Sequence, residues 1–225
     1  MRDQNLNSSA PIVTVTYADG STREFSASQL AGLLHKQAIA LLETGQIETG
    51  REILELLAKG SPDDAEIWTS LGEVYCFCDQ AEQALQCAHR AIELRPDQPK
   101  SWAVRGLALS RSGQAAPALA AFQKAVALDQ EHPYALRALA AFLMEYKGSP
   151  TEAEHLLRQA IRLDPKSQPG WTLLGMALER QAEFKDADRA YLKAIAINPR
   201  SAYVEAAQGL RAQLAQRLGP DWSSN

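Results

Sequence analysis

The sequence has little of what marks secreted, membrane-spanning or nucleic-acid-binding proteins. Its 225 residues include only three cysteines, which suits a reducing cytoplasm better than a disulfide scaffold. No stretch reaches the roughly 18 consecutive apolar residues that a membrane-spanning helix needs. The first residues, 1–10, are polar and lack the apolar core of a secretory signal. The net charge is −4, and no basic block is present to attract nucleic acid. We therefore expect a cytoplasmic protein that neither spans a membrane nor binds nucleic acid.

Residues that could hold a metal ion or act in catalysis are also few. The best metal candidate is the group Cys76, Cys78, Cys87 and His89. On a helix, residues i and i+2 point about 200° apart, so neither pair of ligands converges on one ion. No histidine lies in a known nucleophile motif, and no glycine-rich phosphate loop is present. The sequence therefore predicts a protein that is not an enzyme and has no metal, no cofactor and no catalytic residues.

What the sequence does contain is a set of columns that recur about every 34 residues. Trp68 and Trp102 are 34 residues apart, and Trp171 keeps the step two periods later with one residue inserted. Small residues form three further columns: Gly72, Gly106, Ala140 and Gly175; Ala84, Ala118, Ala153 and Ala187; Ala91, Ala125, Ala160 and Ala194. A proline column reads Pro62, Pro96, Pro165 and Pro199, with Gln130 where one proline is missing. A fixed period in this range indicates an array of stacked repeats, in which small residues let neighbouring helices approach closely.

The segment from Trp68 to Tyr75 has the spacing W-x2-L-G-x2-Y and resembles the tetratricopeptide repeat. The resemblance covers about residues 31–201. It implies an all-α fold, a right-handed α-solenoid of about five helix pairs, each with an A helix, a short turn and a B helix. It also implies that the A helices line a concave groove, which in this family binds peptides or helices of other proteins.

The predicted organisation follows these columns. We expect a disordered tail at 1–10, a β-hairpin at 11–26, the repeat array at 27–201, a capping helix at 202–219 and a tail at 220–225. The repeats are predicted at about 31–64, 65–98, 99–132, 133–167 and 168–201. The fourth repeat has one extra residue, which we place in the turn at 146–150. The last helix presents an apolar face that would close the end of the stack, formed by Val204, Ala207, Leu210, Leu214 and Leu218.

The hairpin is the one segment that the family resemblance does not explain. Two β-branched and aromatic runs flank Asp19-Gly20, a dipeptide that favours a tight hairpin turn. Val13, Val15 and Tyr17 would share one face of the first strand. A two-stranded hairpin is marginal alone, so this face needs a cover. Either the hairpin caps the first helix pair, or its edge pairs with a strand of a partner or of a second copy.

The predicted partner-binding groove mixes an apolar floor with polar and charged flanks. Register on the A helices assigns to it His35, Ile39, Thr69, Glu73, Phe77, Leu107, Arg111, Arg137, Ala141, Met144, Met176 and Arg180. Such a surface suits an amphipathic helix or an extended peptide. The co-chaperones of this family hold a terminal carboxylate with lysine, arginine and asparagine side chains on three successive A helices. No three successive A helices of this sequence have lysine, arginine and asparagine at those positions.

Three functions remain compatible with the sequence. The first is a scaffold or adaptor that binds a partner protein in the groove and performs no chemistry. The second is a dedicated cytoplasmic chaperone that holds a secreted or assembly substrate. The third is a structural component that self-assembles, with the N-terminal hairpin as the contact between copies.

Overall fold

The fold is an array of helix pairs preceded by a small sheet. A computed structural model describes residues 12–16, 19, 21–199 and 202–219. The sheet has two strands, β1 (Ile12–Thr16) and β2 (Thr22–Ser26). The paired helices are α1 (Ala27–Glu43) and α2 (Ile47–Gly60), α3 (Ala65–Phe77) and α4 (Ala81–Leu94), α5 (Pro99–Arg111) and α6 (Ala115–Leu128), α7 (Pro133–Phe142) and α8 (Pro150–Leu163), and α9 (Gln168–Arg180) and α10 (Phe184–Ile197). A π-helical turn (Leu143–Lys147) extends α7, and α11 (Ala202–Leu218) ends the array.

The strands of the hairpin are antiparallel, and the second strand runs directly into the first helix. Val13 lies opposite Phe25, and Val15 lies opposite Arg23. Ser26 ends β2 and is also the N-cap of α1, where its hydroxyl accepts the N–H of Gln29 and the Gln29 side chain accepts the N–H of Ser26. This reciprocal capping leaves no linker between the sheet and the array. The predicted terminal tails, and the predicted turn and face residues Gly20 and Tyr17, lie outside the described residues.

The turn inside each helix pair is closed by one residue with positive φ. These residues are Gly45, Asp79, Gly113, Gly148 and Ala182. In four pairs the next N–H bonds to a carbonyl five residues earlier, as from Gln114 to Leu109. In the fourth pair Ser149 reaches back six residues, to Leu143. The extra residue of this repeat is therefore accommodated in the π turn, earlier than the turn where the sequence placed it.

Aromatic contacts accompany this π turn. Tyr146 stacks on Phe142 with ring centroids 4.7 Å apart, and its hydroxyl donates to the Ser110 carbonyl at 2.8 Å. That carbonyl lies in the last turn of α5, where backbone acceptors lack helical partners. The insertion thus connects the fourth repeat to the third.

A hydrogen bond couples the tryptophan column to the proline column. The indole N–H of Trp68 donates to the Pro62 carbonyl at 2.9 Å. Trp102 and Trp171 make the same bond to Pro96 and Pro165, at 2.8 and 3.0 Å. The repeat that has Leu136 in place of tryptophan also has Gln130 in place of proline. In the other three repeats each tryptophan anchors the turn that leads into its own A helix.

Side-chain size is matched across four of the five helix pairs. A Cβ built on Gly106 would lie 2.7 Å from the Phe122 ring, and one built on Gly175 would likewise overlap Tyr191. Where the B helix has leucine, the A helix has alanine: Ala38 shares a cluster with Leu54, and Ala140 shares one with Leu157. Glycine is thus needed where the facing side chain is aromatic.

Each A helix from α3 onward buries one face against the preceding repeat. Ile67, Leu71 and Val74 of α3 join the cluster of Leu54 and Leu57 from α2. Equivalent faces of α5, α7 and α9 join the clusters formed by repeats 2, 3 and 4. No pair buries its own apolar surface alone, so the core continues along the stack.

The last helix closes the C-terminal end of the stack. Val204, Ala207 and Leu214 are buried, and Leu210 packs against the cluster of the fifth repeat. Arg211 also pairs with the buried Asp188 of α10. The predicted fold class is confirmed: an α-solenoid of five helix pairs with a C-terminal capping helix, preceded by a two-stranded hairpin.

The size match predicts a compensating pair of substitutions. Gly106→Ala should lower the free energy of unfolding by about 1–3 kcal/mol, because the new methyl group overlaps Phe122. Phe122→Leu should also destabilise when made alone, because it leaves a cavity. The double variant rebuilds the alanine–leucine pair of repeats 1 and 4, so it should be more stable than the two single losses would add up to. Urea unfolding of the four proteins measures this coupling; purely additive losses would disprove the size match.

Candidate protein-binding surface

The A helices form the inner side of the array. Helix α3 packs against α5, α5 against α7 and, less closely, α7 against α9, whereas successive B helices make less contact with one another. A stack that is tighter on one side curves toward that side. The inner surface is therefore lined by α1, α3, α5, α7 and α9 (hereafter the A-helix surface).

Hydrogen bonds join the first three A helices along this surface. His35 Nε2 and Ser70 Oγ are 2.9 Å apart, which links α1 to α3. The hydroxyls of Thr69 and Ser101 are 2.8 Å apart, which links α3 to α5. Both hydroxyl groups of the second pair are fully buried, so this contact belongs to the seam between helices and offers nothing to a ligand.

A charged cluster continues the surface through the middle repeats. Lys100 Nζ lies 2.8 Å from a Glu73 carboxylate oxygen and 5.1 Å from the centre of the Tyr134 ring. The Arg137 guanidinium lies 4.9 Å from the centre of the same ring. Burial raises the pKa of Tyr134 well above its usual value, so the ring stays neutral and can face both cations. Glu73 neutralises Lys100, whereas Arg137 has no carboxylate partner among the described residues.

Aromatic and arginine side chains alternate where the A helices end. Phe77 at the end of α3 is 66% exposed, and Tyr146 in the π turn is 41% exposed. Arg111 lies on the helix between them and makes an exposed ion pair with Asp79 at 3.4 Å. Arg180 on α9 donates to the Met144 carbonyl. Aromatic and arginine residues are the types most enriched at energetically dominant positions of protein interfaces.

Ten of the twelve residues predicted for the groove reach the surface. They are half-buried or exposed: His35, Ile39, Glu73, Phe77, Leu107, Arg111, Arg137, Ala141, Met176 and Arg180. Thr69 and Met144 do not, because they are only 1% and 3% exposed. Ser101 of α5 covers Thr69, and the π turn directs Met144 into the core cluster of the fourth and fifth repeats. Both residues are corrections to the predicted surface.

Three residues of this surface were missed by the sequence analysis. Lys100 and Tyr134 lie 34 residues apart, in the column that begins with Glu66, and that spacing could have revealed them. No comparable signal exists for Tyr146, because its position depends on where the inserted residue is accommodated. Lys100 and Tyr134 extend the cluster that begins at Glu73, whereas Tyr146 lies at the opposite end of α7.

The cysteines do not form a reactive or metal-binding site in the described part of the chain. Burial raises the pKa of Cys76 and of Cys87 to about 12, so both thiols stay protonated at neutral pH. No group of three or more histidine, cysteine, aspartate or glutamate residues is arranged for a metal ion across 12–16, 19, 21–199 and 202–219. None of the helices in these ranges is both long and apolar enough to cross a membrane.

Stacked pairs of A and B helices with a continuous core define the class of α-helical repeat proteins. The model of the cilia and flagella-associated protein 70 middle TPR-like domain matches residues 96–197. The repeat columns, the five stacked pairs and the matches below identify the chain as a tetratricopeptide-repeat protein. Proteins of this kind generally mediate protein–protein interactions.

Two curated relatives cover different shares of the chain. Human tetratricopeptide repeat protein 7B is 24% identical over 208 residues, which are 88% of this chain and 24% of that protein. Anaphase-promoting complex subunit 3 of Schizosaccharomyces pombe is 25% identical over 141 residues, 63% of this chain and 21% of its own length. The chain thus spans about a quarter or less of the curated relatives it matches.

Solved structures share the fold at lower identity. The Thermus thermophilus protein TTC0263, a thermophilic TPR protein, superposes with a TM-score of 0.71 at 16% identity, over 83% of this chain and 99% of that one. A chain of the Cut9–Hcn1 tetramer of the APC/C superposes with a TM-score of 0.67 at 17% identity, over 84% of this chain and 37% of that one. A chain of the human IFIT1 dimer with PPP-AAAA superposes with a TM-score of 0.69 at 20% identity, over 84% of this chain and 47% of that one. The expected absence of nucleic-acid binding remains a prediction from the net charge of −4 and the lack of a basic block.

Two histidines should make stability depend on pH. Burial lowers the pKa of His35 and of His132, and neutral His132 accepts the Ala135 N–H at the start of α7. The folded state thus favours the neutral forms, so stability is complete above the unfolded pKa of about 6.5 and falls as pH drops below it. Urea unfolding between pH 8 and 5 should show this loss, less steeply in His35→Gln with His132→Asn. An equal slope in that double variant would contradict the assignment, and His89→Gln, which changes an exposed histidine, is the control.

Proposed function

We propose that the chain is a non-enzymatic scaffold or adaptor that binds a segment of a partner protein along the A-helix surface. Stacking uses one face of each A helix, and the B helices close the other side. The A-helix surface is what remains of these helices for a partner. We also propose a cytoplasmic location, on the ground that Cys76, Cys78 and Cys87 are all free thiols.

The observation that carries this proposal is the combination of exposed Phe77 with a half-buried apolar strip. Phe77 exposes 66% of its surface although nothing in its own repeat requires an aromatic residue there. Leu107, Ala141 and Met176 recur at about one repeat spacing and are half-buried on successive A helices. A segment laid across the helices would cover this strip and the Phe77 ring together.

The charges of the surface favour a partner segment that carries acidic side chains. Arg137 and Arg180 have no carboxylate partner among the described residues, although the chain as a whole has a net charge of −4. Carboxylates placed beside the apolar anchors would pair with these guanidiniums. We therefore propose an amphipathic helix or extended peptide with apolar anchors and acidic neighbours.

The names of two relatives fit different functions among those proposed. One is a subunit of the anaphase-promoting complex, and another is a DnaJ homolog. The first name fits a scaffold and the second fits the chaperone alternative. The stable seam and the pre-formed surface favour the scaffold, because neither requires an unfolded partner.

A matched pair of substitutions tests the proposed surface. Phe77→Glu should remove partner binding, because it places a negative charge beside the apolar strip and next to the expected acidic groups. Leu56→Glu, on the B helix α2, is the control because Leu56 is 67% exposed, against 66% for Phe77. Both variants should fold normally, since neither side chain is buried. Affinity purification from the native lysate with quantitative mass spectrometry measures recovery of each partner.

The control defines the outcome that contradicts the proposal. Equal recovery of the same partners by the wild type, Phe77→Glu and Leu56→Glu would remove the A-helix surface from the interaction. Loss of partners in Leu56→Glu alone would instead move the interaction to the B helices.

A further inference from the structure

The outer face of the first helix is exposed and partly polar. In α3 the residues Ile67, Leu71 and Val74 are buried. The residues at the equivalent positions of α1, 34 residues earlier, are Leu33, Gln37 and Ala40. All three residues of α1 are exposed, because no earlier repeat packs on them within the described residues. Likewise, Lys36 of α1 is exposed, whereas Ser70 at the equivalent position of α3 is buried. Gln37 and Lys36 make this face partly polar, as expected for a terminal repeat.

Both strands of the hairpin contact α1, but they cover its outer face only in part, since Leu33 remains 47% exposed. Val13 remains 37% exposed, and Val15 and Phe25 are only half-buried. No hairpin residue belongs to the core cluster that α1, α2 and α3 form. Contact with α1 supports the hairpin, but it leaves part of the apolar face exposed and open to further strands.

The two outer edges of the sheet differ in charge. Strand β1 reads Ile-Val-Thr-Val-Thr and has no charged residue, whereas β2 contains Arg23 and Glu24. Charged side chains on an edge strand discourage pairing with another chain. Among the described residues each strand pairs only with the other, so the edge of β1 is both open and unprotected.

We propose that β1 pairs antiparallel with β1 of a second copy of this chain, with Thr14 at the two-fold axis. In this register Val13 lies opposite Val15 of the other copy, and the reverse, so apolar residues meet on one face. Phe25 extends that face in each copy, because it lies opposite Val13 within the hairpin. The product is a four-stranded sheet whose apolar face joins Val13, Val15 and Phe25 of both copies, with Arg23 at its two outer ends.

A second copy fits this edge better than an unrelated strand does. A two-fold contact brings the residue on the axis opposite its own counterpart, so a charge at that position is disfavoured. Strand β1 has none, and only the register centred on Thr14 places both valines of each strand opposite a valine of the other. Pairing of this kind is independent of the A-helix surface, so the two proposals can fail separately.

Charge substitutions at the axis test the register directly. Thr14→Lys places two lysines opposite each other, although each can still pair with Glu24 of its own hairpin. Thr14→Glu combined with Glu24→Lys reverses both charges and keeps the pair within the hairpin. Sedimentation equilibrium from low to high micromolar concentration should show a wild-type dimer and weakened dimers, by tenfold or more, for each variant alone. A mixture of the two variants should restore the dimer, because residue 14 then meets its opposite charge.

The control is the same substitution on the other edge of the hairpin. Thr22→Lys changes an exposed threonine of β2 and should leave the wild-type mass unchanged. A wild-type monomer at all concentrations would overturn the proposal, as would a mixture that stays monomeric or a dimer that Thr22→Lys disrupts. Mass that keeps growing with concentration would also contradict it, since a two-fold pair is closed. Phe77→Glu should leave the mass unchanged.

Discussion

Burial of one face of each A helix against the preceding repeat is the contact on which the rest of this array depends. It joins four clusters of buried residues into a continuous core, since each cluster contains residues from neighbouring repeats. It also determines how the ends must differ from the middle. At the C-terminal end α11 covers the fifth repeat, and at the other end Lys36 and Gln37 replace residues that are buried elsewhere. What this contact does not use is the inner surface of the same helices.

Close approach of helices requires local matching, and the chain achieves it in more than one way. Glycine faces an aromatic ring in repeats 3 and 5, and alanine faces leucine in repeats 1 and 4. One position departs from the pattern: Arg105 stands in the column of buried Leu71, stacks on Trp102 with 5.4 Å to the ring centre, and has a buried Nε without a hydrogen-bond partner among the described residues. The third repeat therefore gives up some packing at this position.

The sequence predicted the fold because its columns report distances that only stacked helix pairs satisfy. A small residue every 34 positions has a direct structural meaning, whereas a hydrogen bond such as that from Trp68 to Pro62 does not follow from a list of residues. The surface was harder to predict. Thr69 has the spacing of an inner residue but is covered by the next A helix, and spacing within one helix cannot show this. Met144 fell on the wrong side because a π turn adds a residue and changes the direction of the side chains within it.

The inner surface is the part of each A helix that stacking leaves available, and hydrogen exchange of the captured complex measures directly whether a partner uses it. Amide exchange followed by mass spectrometry compares the free chain with the chain bound to the partner recovered by affinity purification. We expect added protection in peptides from the C-terminal halves of α3, α5, α7 and α9, with exchange in the B helices unchanged. Protection confined to the B helices or to α11 would contradict the assignment of function to the A-helix surface.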